Sequence, residues 1–307
     1  VAAYCGFARV VGAGESQLIP KRRYGAQRTT SLKQMRNKSS TGVFMFAYNL
    51  ARSARLLEMP WFQRVFLFTY FLYKRWYEDP FWALTQRNPE LFGNGDVLDI
   101  GANVGYTAYV FVHILKSPAK VYAFEPDRAS FGTLEETVRR KKLSGKVEVF
   151  NMAVGSADGS VSFWHNEEHS ADHRVVTEQF QSSHPSSGKI TTVAVTSVDN
   201  FVAARSISNI SFIKIDVQGY ELAVCEGMRQ TLQRFPELCV ALEYDPEGIR
   251  ELGFDPEKLL EFFRSAGYNL YVLSRAAITS AADNRSIDQL AEKAGYVDLL
   301  CSRKTLS

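Results

Sequence analysis

The chain has 307 residues, 46% of them hydrophobic and 22% charged, which excludes a disordered tail, a coiled coil or a collagen-like repeat. Its 36 Lys and Arg stand against 33 Asp and Glu, and the resulting net charge of +3 supplies no general field for gripping nucleic acid. Four cysteines, Cys5, Cys225, Cys239 and Cys301, lie far apart with no C-x-x-C pair, so neither a zinc site nor a disulfide framework is indicated and a reducing, cytoplasmic setting fits.

The basicity is local. Residues 1–40 hold eight Lys and Arg against the single acid Glu15 and read as a basic, disordered arm. Their Arg-rich, acid-poor composition is shared by organelle transit peptides, but a solvated tail is the preferred reading, and export is discounted. Residues 41–87 read as a helical, aromatic-rich extension. Within it Val65 to Tyr73 is a nine-residue run without charge, too short to cross a bilayer as a helix, which needs about 20 residues. Arg64, Lys74 and Arg75 bracket the run, so peripheral contact with a membrane surface is one reading. A lid or packing helix over the main domain is the preferred one.

Past Pro89 strand-like and helix-like segments alternate to the end of the chain, the pattern of an α/β protein with a parallel sheet. The strand candidates are 97–100, 121–125, 147–151, 210–216, 238–244, 269–273 and 296–301. Helical patterns fall at 104–116, 127–143, 219–234 and 256–266, the last opened by Asp255 as N-cap and Pro256 as first helical residue. Two further strand-like stretches, 160–165 and 190–195, flank a polar loop, 166–189, of a length usually found in lids, binding loops or disorder.

The chemistry begins at VLDIGANVGY, residues 97–106. A buried strand ends at Ile100, a tight turn follows, and a helix begins near Asn103, which puts free backbone N–H groups at the carboxyl edge of the sheet. Gly101 and Gly105 let the chain turn and let a ligand approach. A dinucleotide fingerprint would need further glycines where this chain has Asn103 and Tyr106. Asn tolerates the left-handed region, but Tyr106 argues against a pyrophosphate ligand and so against a nicotinamide oxidoreductase. Glu125 ends the next strand, where a carboxylate of such folds accepts both ribose hydroxyls of a nucleoside; Pro126 stops the strand and Asp127 can cap the following helix.

These segments, with VYAFEPDRASFGTLEETV, VFNMAVGSADGSVSF, VTSVDNF and FIKIDVQGYELAVCEGM, resemble the FkbM family of S-adenosylmethionine-dependent methyltransferases over residues 88–301. The resemblance implies a Rossmann-like class I methyltransferase fold: a mostly parallel seven-stranded sheet with an extra hairpin insertion, here in a domain spanning 88–307. It also implies S-adenosylmethionine as cofactor, with Asp99, Gly101, Ala102, Asn103 and Gly105 lining its methionine side, Glu125 and Pro126 the ribose, and the backbone near Met152 and Ala153 the adenine. The family commonly shows D-V-E-G-x-E where this chain has DVQGYE, with Gln218 in place of an acid.

Lys214 and Asp216 share one face of a central strand, where buried charges require partners. They read either as an internal ion pair of Lys214 with Asp216, Asp99 or Glu243, or as catalytic groups, with Asp216 beside the methyl group and the incoming acceptor. Glu243 ends the following strand at a similar position. Transfer to a hydroxyl calls for a base within hydrogen-bond reach. His165, His169, His173 and His184 crowd on or beside the long loop, and His165 is a candidate base. Three of them are spaced by four and would align as metal ligands with Glu168 or Asp172 only on a helix. The segment does not read as one, and no metal is expected. His113, in an apolar helix, is expected to pack in the core.

The resemblance makes the acceptor a hydroxyl oxygen of a sugar, glycolipid or other secondary metabolite, small or lipid-linked. The alternative of a different class is a noncatalytic cofactor- or ligand-binding module associated with a membrane surface.

Overall fold

A computed structural model of the chain describes residues 60–93, 95–165, 173–183, 189–281 and 283–306. The basic arm, residues 41–59, His169 and His184 lie outside them. The chain divides into two units, 1–67 and 68–307, and both sheets belong to the second.

Eight strands form the main sheet: β1 (Asp96–Ile100), β2 (Val121–Phe124), β3 (Val147–Phe150), β8 (Ile210–Ile215), β9 (Cys239–Tyr244), β10 (Asn269–Leu273), β11 (Ile278–Ser280) and β12 (Val297–Ser302). Their spatial order is β11-β10-β12-β9-β8-β1-β2-β3. The run from β9 to β3 is parallel, β12 is inserted antiparallel between β9 and β10, and β11 is an antiparallel edge. This is a doubly wound Rossmann-like sheet, and its order reverses at β1, where open α/β sheets bind ligands. The expected seven strands are all present. The eighth, β11, is three residues long, below the length at which alternation can be read.

Burial on both faces follows from the strand pattern. From β1, Leu98 and Ile100 enter one apolar cluster with Phe124, Ile213, Ile215 and Leu242. Val97 enters the other with Ala123, Phe111, Leu134 and Phe212. Alternation then assigns Asp99 to the Val97 face, where its carboxyl is buried from solvent in a largely apolar layer.

The interval 152–209 holds a second sheet. Strands β4 (Ala153–Gly155), β5 (Gly159–His165), β6 (Arg174–Val175) and β7 (Lys189–Ser197) are ordered β4-β7-β5-β6. The expected hairpin is β5 with β7, in antiparallel register from Gly159↔Val195 to His165↔Lys189. The expected uninterrupted loop 166–189 is corrected: β6 and a short helix, Glu178–Ser183, occupy part of it. Phe180 of that helix is buried beside the Trp164 ring, giving the segment an apolar anchor.

Two helical expectations change as well. The pattern over 219–234 is two helices, Glu221–Glu226 and Arg229–Arg234, separated by Gly227 and Met228. His113 follows the helix Tyr106–Val112 and is exposed, its ring edge-on to Tyr109 and Trp82 instead of packed in the core.

The part of the aromatic extension within this unit packs on that same helix. Phe71 is buried edge-on to Tyr106 and beside Tyr109, and Phe81 packs against Phe111 and Phe212. Phe68, Leu72 and Trp76 remain exposed. No helix among the described residues is long and apolar enough to cross a membrane.

Candidate functional site

The turn after β1 is built from left-handed backbone. Gly101, Asn103 and Gly105 have φ of +78°, +48° and +87°, so Asn103 does adopt the conformation that its side chain tolerates. A Cβ on Gly101 would lie 1.9 Å from the carbonyl oxygen of Asp216, so this glycine is required by the neighbouring strand end itself. The turn's amides are engaged within the protein. Gly101 and Ala102 N–H donate to the Phe124 carbonyl at 3.0 and 2.9 Å, and Gly105 N–H donates to the Ala102 carbonyl at 2.9 Å. The expected set of free amides is to that extent absent.

Asn103 N–H donates to Glu125 Oε2 at 2.9 Å, and Asp127 N–H donates to Glu125 Oε1 at 2.8 Å. Each Glu125 oxygen therefore holds one backbone amide and keeps a further lone pair. Burial pushes the Glu125 pKa up to about 7 in spite of these two amides. Asn151, which the sequence did not single out, donates from its amide to the carbonyls of Glu125 and Pro126 at 2.9 and 3.0 Å. It joins the turn after β2 to the one after β3, which leads to half-buried Met152 and buried Ala153.

Strand register brings the buried charges together. Asp99 and Lys214 are direct partners across β1 and β8. Lys214 Nζ lies 3.2 Å from Asp216 Oδ2 and 3.6 Å from Asp99 Oδ1, and it donates to the Gly101 carbonyl at 2.8 Å. Burial lowers the Lys214 pKa, but the charges of Asp216 and Asp99 more than offset it and hold the ammonium above its ordinary value. Asp99 is fully buried, accepts from Thr107 Oγ1 at 2.6 Å, and has its pKa raised by that burial; its Oδ1 has no hydrogen-bond partner among the described residues. Asp216 is different: its side chain is 39% exposed, and although desolvation opposes it, Lys214 holds its carboxyl below the ordinary value.

Gln218 donates to Asp216 Oδ1 at 3.1 Å and to Glu243 Oε1 at 3.2 Å. An amide thus separates two carboxyls where a third acid would have crowded them. Glu243 is pushed well above its ordinary value by desolvation and then by Asp216. Its cross-strand partner Asp298 is pushed to about 7 by desolvation, with Asp79 and Asp216 adding to it. Asp298 and Asp79 were missed by sequence reasoning, the first a lone acid in an apolar strand, the second just before Pro80 at the end of the aromatic extension. Glu221 was also missed: its Oε1 accepts from the amides of Val217 and Gly219 at 3.0 and 3.2 Å and clasps the loop that carries Gln218.

His165 belongs to a different group. Its Nδ1 lies 2.8 Å from Asp127 Oδ2 and its Nε2 2.7 Å from Thr191 Oγ1, so both ring nitrogens are engaged away from the Lys214 cluster.

The methyltransferase FkbM domain model matches residues 99–270, more than half of the chain. A hexuronic acid methyltransferase, AglP, of Haloferax volcanii is 30% identical over 161 residues, which cover 51% of this chain and 61% of that protein. Among solved structures, the methyltransferase FkbM from Methylobacillus flagellatus aligns at 16% identity and a TM-score of 0.45 over 73% of this chain and 48% of that one. An O-methyltransferase from Bacillus cereus, solved with SAH, aligns at 13% identity and a TM-score of 0.40 over 72% of this chain and 78% of that one. The Gly101–Gly105 turn, Glu125 and the Lys214–Asp216 strand end all fall inside the matched residues 99–270, and on the extent of that match the chain belongs to the FkbM methyltransferase family.

Proposed function

We propose that this protein transfers a methyl group from S-adenosylmethionine to a hydroxyl oxygen of a sugar-type acceptor. The observation that carries the reading is the pair of left-handed turn and Glu125: a buried carboxylate with one lone pair free on each oxygen, at the switch point of the sheet, suits the two hydroxyls of a ribose. Asp99, Gly101, Ala102, Asn103 and Gly105 would flank the methionine part, with Asp99 Oδ1, ion-paired to Lys214 but accepting no hydrogen bond among the described residues, as a buried acceptor for an ammonium group. Met152 and Ala153 would flank the adenine. When bound, the cofactor supplies an electrophilic methyl group whose C–S bond breaks as the acceptor's C–O bond forms.

The chain's own residues would hold the acceptor and take its proton. Asp216 is ionised and partly exposed, and it can accept a hydrogen bond from the attacking hydroxyl and then its proton. Lys214 is a positioning residue, which fixes Asp216 and the Gly101 carbonyl. Glu243, held towards the acid form by burial, can both donate and accept, as hydroxyl-rich acceptors require, and Asp298, with a pKa pushed to about 7, shares that capacity in its protonated fraction. The relative AglP is a hexuronic acid methyltransferase, which supports a sugar acceptor, free or lipid-linked.

The test is calorimetry with S-adenosylmethionine, followed by a mass-spectrometric screen for methylated products among neutral glycosides, hexuronic acids and glycolipids. Absence of cofactor binding by folded protein would refute the reading. Cofactor binding with methylation confined to a non-sugar acceptor would refute the acceptor class alone.

A further inference from the structure

The register of β5 and β6 pairs Phe163 with Val175 and Trp164 with Arg174. Continued by one residue, it sets His165 opposite His173, and directly opposed antiparallel positions present their side chains on the same face. The two rings meet edge-on at 5.5 Å between centroids, beside Phe163. A third group comes from a distant part of the chain: Asp127, the N-cap of the helix Arg128–Arg140, which caps Ser130 N–H with Oδ1 and turns Oδ2 to the histidines. All three side chains are largely buried.

One carboxylate oxygen, Asp127 Oδ2, faces both histidines. Here His165 Nδ1 is 2.8 Å from Asp127 Oδ2, while His173 Nε2 is 3.8 Å from the same oxygen, too long for a hydrogen bond. The three donor atoms all lie within 4.8 Å of one another. Tetrahedral zinc, with ligand bonds of about 2.0–2.1 Å, holds its ligand atoms about 3.3 Å apart, a spacing that small rotations of these side chains reach. Thr191 Oγ1, 2.7 Å from His165 Nε2, can accept its N–H and leave the Nδ1 lone pair to a metal, the outer-shell arrangement that orients ligating histidines. Arg174 lies on the opposite face of its strand and pairs with Glu251, so this cation is directed elsewhere.

We propose that Asp127, His165 and His173 form a binding site for a divalent transition metal of the zinc class. Two imidazoles and one carboxylate favour zinc, cobalt or nickel over magnesium or calcium, and water would complete the tetrahedron. The metal would join the turn after β2 to the β5–β6 pair. The histidines converge through strand pairing and not through the helical spacing of four considered for the sequence, which is why no metal was expected there.

The experiment titrates the chelator-treated 307-residue chain with Zn²⁺ alone, in competition with a chromophoric chelator, and with Co²⁺ followed by its visible absorption. One equivalent should bind, with d–d bands of a four- or five-coordinate ion. His165→Ala and His173→Ala should each weaken Zn²⁺ affinity at least about 100-fold, and Thr191→Val about tenfold. Folding of each variant is checked by circular dichroism; should an alanine variant fail to fold, His173→Gln and the Co²⁺ spectrum of the wild type decide. Wild-type protein that binds no Zn²⁺, or binds it as tightly as a folded His165→Ala/His173→Ala double variant, would overturn the proposal.

Discussion

The ammonium of Lys214 donates to the carbonyl of Gly101 at 2.8 Å, so a buried cation on one central strand holds the backbone turn that follows its neighbour. The same nitrogen faces Asp216 at 3.2 Å and Asp99 at 3.6 Å. The two sequence readings of Lys214 therefore meet: it is an internal ion-pair partner, and its position makes it a support for both halves of the candidate site.

Lys214→Met should be strongly destabilising, because it strands Asp99 with no compensating charge in an apolar layer and removes the donor to Gly101 O. Loss of one member of a buried ion pair costs about 3–5 kcal/mol, to be read by chemical denaturation. A loss below about 1 kcal/mol would show that the cluster contributes little to the fold.

Asp216→Asn should fold normally, bind S-adenosylhomocysteine with unchanged affinity, and lose at least about 100-fold in turnover, the scale of a lost general base. Because Lys214 holds the Asp216 carboxyl below its ordinary value, Asp216 stays ionised throughout the neutral range and should contribute no acid limb to the rate profile between pH 6 and 8. Turnover equal to wild type would remove Asp216 from the chemistry.

Glu125→Ala should weaken S-adenosylhomocysteine binding by about 1.5–3 kcal/mol, the range for hydrogen bonds to a charged group. Since Glu125 also receives the amides of Asn103 and Asp127, Glu125→Gln is the companion variant, keeping an acceptor for one amide. Unchanged affinity in both, measured by calorimetry on folded protein, would move the ribose elsewhere.

Much of this was legible in the sequence for a physical reason. Central parallel strands are buried on both faces, so β1, β2, β8 and β9 read as near-continuous apolar runs whose bounds differ from the observed ones by a residue or two. The caps Asp127 and Asp255 were visible because an acidic N-cap has a local signature. What escaped depends on pairing across space. β4, β6 and β11, two or three residues each, take their identity from the partner strand. Asp298 matters because register sets it opposite Glu243, and His173 because register sets it opposite His165. Asp79 lay in a segment without a matching motif, although its charge reaches Asp298 and the Tyr106 hydroxyl, whose pKa desolvation and that charge raise.

Glu221 ties the fold to pH. Its carboxyl is buried, Oε1 holds two amides, Oε2 has no partner among the described residues, and desolvation pushes its pKa up to about 7. In the unfolded chain it titrates near an ordinary value of about 4.3. Between those values the native state binds the extra proton, so stability falls as pH rises through this window and levels off above it. Glu243 and Asp298, also raised, act with the same sign. Glu221→Gln keeps the Oε1 acceptor and cannot ionise. It should reduce the loss of unfolding free energy between pH 5 and 8 by about 1–3 kcal/mol, leaving the variant at least as stable as wild type at pH 8. Denaturant titrations at the two pH values measure this, and an identical pH dependence in variant and wild type would show that Glu221 is charged in the folded protein throughout.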